Sequence, residues 1–237
     1  MDKGKPQSVE EVDVFARETI ENPYPTFDLL RSECPVYQVP DTQTYFLTRY
    51  EDIYDVLRKT NLFLSGAGKS RPLISDSEAQ DYFERNGWPK MSILGSNPPN
   101  HRRYRDMVDH FFSVKGAKKQ TGLITEIANE LIDNWIDDGE VEYVSQFAEL
   151  LPSMVITKMM GFPLEDLQRL KIWSEAWVAP FSLQLDAEQE KEVAHLMVEF
   201  QHYIHDHIKE RRKNPREDPR EDVVSYLVST PVQLHSG

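Results

Sequence analysis

The chain has 237 residues, of which 39% are hydrophobic and 28% are charged, so it can bury a real core and is typical of a soluble globular protein. Its formal net charge of −13 would repel nucleic acid and anionic membrane surfaces, and no apolar run is long enough to cross a bilayer. The single cysteine, Cys34, excludes an internal disulfide. Together these features predict a cytoplasmic protein with no nucleic-acid partner and no membrane anchor.

The first 65 residues predict helices around one β-hairpin. Apolar residues recur at helical intervals in three segments, 9–20, 24–33 and 49–59. The second segment ends where Cys34 meets Pro35, because a residue before proline avoids the α-helical region. The β-branched and aromatic runs 35–40 and 44–48 predict the two strands of the hairpin.

Helical periodicity fades between residues 65 and 95, where Gly, Ser, Pro and charged residues dominate. So long a segment with little regular structure is typical of a lid or a binding loop. Its "GAGKS" run, residues 66–70, imitates the end of a phosphate-binding loop. Phe63 stands where such a loop needs glycine, and Arg71-Pro72 follows in place of a helix. The sequence therefore predicts no nucleotide site here.

Helices dominate the rest of the chain. The predicted helical segments are 97–112, 122–138, 143–160, 165–178, 187–213 and 221–229. Asn97 can cap the first of them, and Gly139 and Gly161 stand where C-terminal caps belong. The segment 143–160 is apolar on nearly every side, which predicts a buried helix. Residues 214–222 form a charged loop that is too short to be a repeat architecture.

A positive cluster lies at the start of the segment 97–112. His101 and Arg105 are one helical turn apart and border the apolar stripe, whereas Arg102 and Arg103 point elsewhere and are expected to be solvated. The stripe consists of Tyr104, Met107, Val108 and Phe111. Two cationic donors at the rim of a core require an anion, either an internal acidic partner or a bound ligand. The many acidic residues favour the internal ion pair.

Two other candidate sites have simpler interpretations. Four histidines in the segment 187–213 have spacings that could hold a metal: His195, His202, His205 and His207. Acidic residues interleave with them and no buried supporting shell is evident, so a solvated polar face is favoured and no metal site is predicted. Cys34 could be a reactive thiol, although a half-buried structural cysteine is commoner.

The segment "NPPNHRRYRDMVDHFFS", residues 97–113, resembles the haem-contacting helix of the cytochrome P-450 superfamily, whose soluble bacterial members carry Asp-Pro-Pro-Glu-His-x-x-x-Arg here. Four further segments resemble the family in the same order: 22–39, 49–65, 141–174 and 218–229. The likeness covers about residues 9 to 229 and implies a mainly α fold with a small β-hairpin. Residues 1–237 would be one incomplete domain, the N-terminal portion of the P-450 fold without its central long helix and haem-thiolate loop.

The resemblance assigns His101 and Arg105 to the propionates of a haem cofactor. It also makes residues 65–95 a substrate-recognition loop and places a second substrate-lining region at 178–182. The substrate-binding residues expected from these matches are Leu73, Ile74, Trp88, Met91, Ile93, Leu94, Val178 and Phe181. Asn97 and Asn100 depart from the family's acidic residues, which weakens the capping box.

The family's catalytic elements have no counterpart in this sequence. The oxygen-activating pair on the central helix, the Glu-x-x-Arg pair and the cysteine loop all lie downstream of residue 237 in the family's order. The literal Glu217-x-x-Arg220 lies in a proline-flanked loop, and Cys34 lacks the glycine-rich approach of an iron-ligating thiolate. No catalytic residue and no metal ligand is therefore assigned.

Two functional hypotheses follow. In the first, the chain is part of a monooxygenase that binds haem and hydroxylates a small hydrophobic substrate, with dioxygen and electrons from a ferredoxin-type donor. In the second, suggested by the unfamiliar tail "TPVQLHSG", the chain is a truncated or frameshifted remnant that acts at most as a ligand- or partner-binding fragment. On either hypothesis the chain alone is expected to be inactive and to bind haem weakly or not at all.

Overall fold

The computed structural model describes residues 6–65, 74–88, 93, 95–181 and 185–230. Backbone contacts divide the chain into two units, residues 1–65 and 66–237. The described residues form a mainly helical fold with one two-stranded sheet, as predicted. Among them, no helix combines the length and the hydrophobicity needed to span a bilayer.

The first unit is built around the predicted hairpin. Its elements are α1 (Arg17–Glu21), α2 (Tyr24–Glu33), β1 (Val36–Gln38), β2 (Tyr45–Leu47) and α3 (Tyr50–Arg58). The two strands pair antiparallel, with Tyr37 opposite Phe46. The core of this unit consists of Val12, Val14, Leu30, Tyr37 and Val39.

The helix predicted over residues 9–20 is not continuous, so that prediction was wrong. A short 3-10 turn gives way to extended backbone at Val12, and α1 begins only at Arg17. Val12 and Val14 are both buried, and the Tyr37 hydroxyl donates to the Val12 carbonyl at 2.8 Å. Burial of two residues spaced by two matches extended backbone, and here it overrides the weaker helical spacing.

Among the described residues of the second unit, all regular secondary structure is helical. Its helices are α4 (Ser77–Asn86), α5 (Asn100–Phe112), α6 (Val114–Lys119), α7 (Thr121–Asp133), α8 (Leu150–Met160), α9 (Leu167–Val178), α10 (Ala187–Lys213) and α11 (Val223–Ser229). α10 has the predicted bounds because Asp186 and Gln189 form a capping box, in which each side chain accepts the other residue's backbone N–H. α4, α9 and α11 all pack against α10.

α7 and α8 depart from prediction in two respects. α7 ends at Asp133, and Gly139, at φ +73°, follows a separate 3-10 turn instead of capping the α-helix. α8 is only partly buried: Met154 lies in the core, but Ile156 is 42% exposed. The apolar character of a segment therefore does not by itself fix how much of it is covered.

Gly161 ends α8 as predicted, in the left-handed conformation at φ +84°. A Cβ atom at this position would lie 2.6 and 2.8 Å from the two carboxylate oxygens of Asp222. Asp222 is 2% exposed and caps α11 by accepting from the backbone N–H and the hydroxyl of Ser225. The end of α8 and the start of α11 therefore meet where only glycine fits.

Replacing Gly161 with alanine should lower the free energy of unfolding by about 1–2 kcal/mol for the left-handed backbone. A further loss is expected because the buried Asp222 carboxylate must move. Gly139→Ala is the matched control, since Gly139 is also left-handed but nothing lies within 4 Å of its Cβ position. Urea titrations of both variants measure the difference, and equal losses would contradict the close approach of Asp222.

Candidate functional site

α5 carries the positive cluster and begins at Asn100, with Pro99 at its N-cap position and no side-chain cap. The N-cap position is therefore held by Pro99 rather than by Asn97. The Asn97 carbonyl instead accepts the backbone N–H of His101 at 2.9 Å, a bond with the spacing of an α-helical turn. The chain is thus already wound before α5 begins.

The structure separates the four cations as the helical spacing predicted. His101 and Arg105 are half-buried, whereas Arg102 and Arg103 are exposed. The Arg102 side chain is 75% exposed, against 44% for Arg105. Two of the four therefore lie at the rim of the core, where a charge needs a partner.

Arg105 meets an internal acidic partner, Asp109, at 2.6 Å and one turn further along α5. The contact is an ion pair and not an aligned hydrogen bond, since Asp109 Oδ1 has no hydrogen-bond donor among the described residues. The guanidinium thus already pairs with a carboxylate, and its five N–H donors are more than this one contact uses.

The apolar stripe of α5 also lies where it was predicted. Phe111 is buried, and Tyr104, Met107 and Val108 are half-buried. The His110 ring packs against Phe111 and against Tyr226 of α11, with centroids 4.0 and 4.1 Å apart. Burial, followed by the nearby charges of Lys119 and Arg220, lowers the pKa of His110. The C-terminal end of α5 is thereby fixed to α11.

The segment 65–95, which was expected to lack regular structure, contains the ten-residue helix α4. The Asp76 carboxylate caps it by accepting the Ala79 N–H at 2.9 Å. Ile74, three residues before α4, belongs to the same apolar contact, whose buried residues are Ile74, Ala79, Val193, Ala194 and Met197. The helix forms because this contact supplies the apolar burial that its own polar sequence lacks.

Glu190 of α10 holds the N-terminal end of α4. Its carboxylate is only 4% exposed and accepts the Ser75 N–H at 2.6 Å, the Ser75 hydroxyl at 2.6 Å and the Asp76 N–H at 2.5 Å. Desolvation is the largest single influence and raises the pKa of Glu190, but the hydrogen bonds from Ser75 and Asp76 together outweigh it. The pKa therefore lies below its ordinary value, and the buried group carries its charge.

A second set of contacts holds the C-terminal end of α4. The Gln201 side chain accepts the Trp88 N–H at 2.7 Å and donates to the Trp88 carbonyl at 3.0 Å. A ring nitrogen of His202 lies 2.9 Å from the Asn86 carbonyl. A Cβ at Gly87 would lie 2.6 Å from Gln201 Oε1, so the backbone approaches α10 closely here.

The histidines of α10 take part in this contact. The His195 ring lies 3.7 Å from the ring of Tyr82, and those of His202 and His205 lie 5.0 and 4.8 Å from the ring of Trp88. His195 and His202 are nevertheless exposed, as the predicted solvated face requires, whereas His205 and His207 are half-buried, so the prediction was wrong only for those two. No group of three His, Cys, Asp or Glu side chains within the described ranges has a metal-binding geometry.

The structure describes five of the eight predicted substrate residues, and they differ in exposure. Ile74 is buried at the α4–α10 contact, Trp88 is 42% exposed and bound to α10, and Val178 is 61% exposed at the end of α9. Ile93 is half-buried. Phe181 ends a short 3-10 turn, Ala179–Phe181. Three predicted residues lie outside the described residues: Leu73, Met91 and Leu94.

Sequence reasoning missed a groove of about 560 Å³ between α9 and α10. In it, the Arg169 guanidinium lies 4.7 Å from the ring centroid of Trp173 and 5.7 Å from that of Tyr203. Burial, followed by a hydrogen bond to Asp166, raises the pKa of Tyr203. None of the predicted substrate residues that the structure describes lines this groove. The Arg169–Trp173 spacing of four residues was the available signal.

Comparisons with known proteins point to one family, although no protein-family model matches the chain. The chain is 30% identical over 171 residues to vitamin D(3) 25-hydroxylase of Pseudonocardia autotrophica, a match to 71% of this chain and 41% of that protein. It is 29% identical over 209 residues to cytochrome P450(MEG) of Priestia megaterium, matching 86% of this chain and 49% of that protein. The chain therefore spans about half the length, or less, of these relatives.

The fold matches a solved structure of the same family. The crystal structure of P450BioI in complex with an acyl carrier protein ligated to hexadec-9Z-enoic acid has a TM-score of 0.76 with this chain. The two are 24% identical, and the match covers 90% of this chain and 53% of that chain. At this identity the likeness shows the fold alone.

Replacing Glu190 with glutamine should loosen the start of α4, because an amide offers one acceptor oxygen where the carboxylate offers two. We expect the opening free energy of the Ser75 and Asp76 amides to fall by about 1–3 kcal/mol, as measured by native-state hydrogen exchange. Glu192→Gln, an exposed neighbour on α10, is the control. Unchanged exchange in Glu190→Gln would contradict the role of this carboxylate.

The same group should make α4 sensitive to acid. A carboxyl group whose pKa is lowered in the folded protein stabilises the fold at pH values above its unfolded pKa of about 4.3. This stabilisation is lost as the pH falls through the folded-state pKa. Acid titration of the unfolding midpoint should therefore show a loss below about pH 4 that is smaller in Glu190→Gln. Parallel pH profiles for the two proteins would contradict this linkage.

Proposed function

Because this chain belongs to the cytochrome P450 superfamily, we propose that it supplies the haem-facing and substrate-facing helices of a monooxygenase that hydroxylates a small hydrophobic molecule. The reaction would use dioxygen and electrons from a ferredoxin-type donor. Two names support a hydrophobic substrate: one relative is called a vitamin D(3) hydroxylase, and the solved structure contains a fatty-acyl carrier protein. The whole activity belongs to a protein about twice the length of the matched region.

The observation that carries this proposal is the division of the cations on α5. His101 and Arg105 are half-buried on one side of the helix, while Arg102 and Arg103 are exposed. A haem propionate is a carboxylate, the group that guanidinium and imidazolium donors bind best. The Arg105 guanidinium already pairs with a group of the same chemistry, the Asp109 carboxylate, at 2.6 Å. The donor chemistry of this helix therefore fits haem.

When bound, haem would supply the iron at which dioxygen is activated. The residues of this chain would hold and orient it: His101 and Arg105 would bind its propionates, and the half-buried stripe of α5 would cover part of its apolar surface. On the substrate side, α10 would hold α4 in place through Glu190 and Gln201. Ile74 and Trp88, at the two ends of α4, would set the position of the apolar recognition segment.

Cys34 does not fit the role of iron ligand. It is the one cysteine of the chain, it packs against the core of the first unit, and its thiol contacts the Val36 carbonyl at 3.5 Å. A proximal thiolate must be deprotonated and exposed to the metal. We therefore propose that the 237 residues alone are inactive and act at most as a haem-, ligand- or partner-binding fragment.

The propionate clamp can be tested in a full-length protein that contains this chain. His101→Ala and Arg105→Ala should each lower the haem retained after gel filtration by roughly tenfold, because each removes a charge-assisted hydrogen bond. Arg102→Ala is the matched control, since it removes a cation from the same helix but from its exposed side. Equal haem content in all three variants would refute the clamp.

The inactivity of the chain alone has a spectroscopic test. The purified 237-residue protein, reduced in the presence of haem and carbon monoxide, should not show the red-shifted Soret band typical of a thiolate-ligated haem, because no cysteine lies in the second unit. Cys34→Ser should give the same spectrum. A thiolate-type band that disappears in Cys34→Ser would show that Cys34 is an iron ligand.

A further inference from the structure

A second cavity, of about 230 Å³, lies where the C-terminal end of α10, the loop 214–222 and α11 meet. Three arginines, Arg211, Arg212 and Arg216, contribute to its lining, together with Pro215 and Val228. It is smaller than the roughly 300–1,000 Å³ of pockets for drug-sized ligands. A small ion, or the end group of a larger molecule, fits this size.

The described acidic groups around the cavity do not balance its three cations. Arg216 pairs with Glu221 at 3.1 Å and with Asp222 at 2.8 Å. Arg211 lies 3.8 Å from the same Asp222 carboxylate and donates to the Gly161 carbonyl at 3.3 Å. Two carboxylates thus face three guanidinium groups, in a chain whose net charge is −13.

Two of the arginines keep donors that no described side chain satisfies. The Arg211 side chain is only 16% exposed. Its Nε is buried and has no hydrogen-bond partner within the described ranges. Arg212 is exposed and forms no ion pair with any described residue. A buried donor without an acceptor costs about 1–3 kcal/mol, so its position calls for an anion or water.

Asp222 does not supply the missing acceptor. Its two oxygens accept the backbone N–H and the hydroxyl of Ser225, at 2.7 and 2.8 Å, and one of them also forms an ion pair with the Nε of Arg216 at 2.8 Å. The carboxylate is therefore engaged in capping α11. Asp218, on the same loop, accepts the Arg220 N–H at 2.9 Å in a cap of its own.

We propose that this cavity binds a small phosphate-type oxyanion, either free or as the end group of a phosphate monoester. The planar fork of an arginine matches the oxygens of a phosphate, and Arg211 and Arg212 leave donors for it. Arg216 and Asp222 would hold the loop 214–222 in place around the ion. The site is separate from the cations of α5, so it does not depend on the proposed monooxygenase function.

Isothermal titration of the 237-residue protein with inorganic phosphate, at constant ionic strength, tests the proposal. Saturable binding is expected, and Arg212→Gln should weaken it roughly tenfold, because a charge-assisted contact is lost from an exposed side chain that the fold does not need. Lys213→Gln, which removes the next cation of α10 but does not line the cavity, should change the affinity less than about twofold.

A second arm uses glycerol phosphate to distinguish the two sources of the oxyanion. Binding of both probes would indicate a site for the phosphate end group of a larger molecule, and binding of inorganic phosphate alone would indicate a site for the free ion. Either result supports the proposal. Absence of saturable binding, or equal weakening by Arg212→Gln and Lys213→Gln, would overturn it, since equal effects indicate diffuse charge attraction.

Discussion

A buried carboxylate on α10, Glu190, fixes where α4 lies, the helix within the proposed substrate-recognition segment. A charged group that is 4% exposed is tolerated only if hydrogen bonds replace its hydration, and all three of its donors come from Ser75 and Asp76. α4 therefore has one favourable position on α10. Gln201 binds the backbone of Trp88 at the opposite end, so α4 is held at both ends by residues more than 110 positions away in sequence.

The remaining helices connect this contact to the candidate haem side. α11 packs against both α10 and α5, and the His110–Tyr226 ring contact lies between α11 and α5. The cations of α5 and the contact between α4 and α10 thus belong to one unit of the fold. A displacement of α10 would be expected to reach α5 through α11, because packed helices transmit strain.

The parts of the structure that depend on local physics could be predicted from the sequence. α10 has the predicted bounds because a capping box and strong helix formers are local signals, and the division of His101 and Arg105 from Arg102 and Arg103 follows from 100° of rotation per residue. An ion pair between Arg105 and Asp109 was also predictable, because residues four apart are neighbours on a helix. In contrast, α4 is polar and short. Its Asp76 cap is a local signal, but Glu190, about 115 residues away, holds its start, so the local pattern alone did not predict it.

A crystal structure of a haem-loaded, full-length protein containing this chain would test the central claim, that α5 provides the anion clamp, most directly. The account predicts that the guanidinium of Arg105 and the imidazole of His101 lie within hydrogen-bond distance of the propionates. This holds whether or not Arg105 also keeps its contact with Asp109. Arg102 and Arg103 should remain in solvent. Propionates that contact other cations while Arg105 stays bound to Asp109 alone would contradict the account.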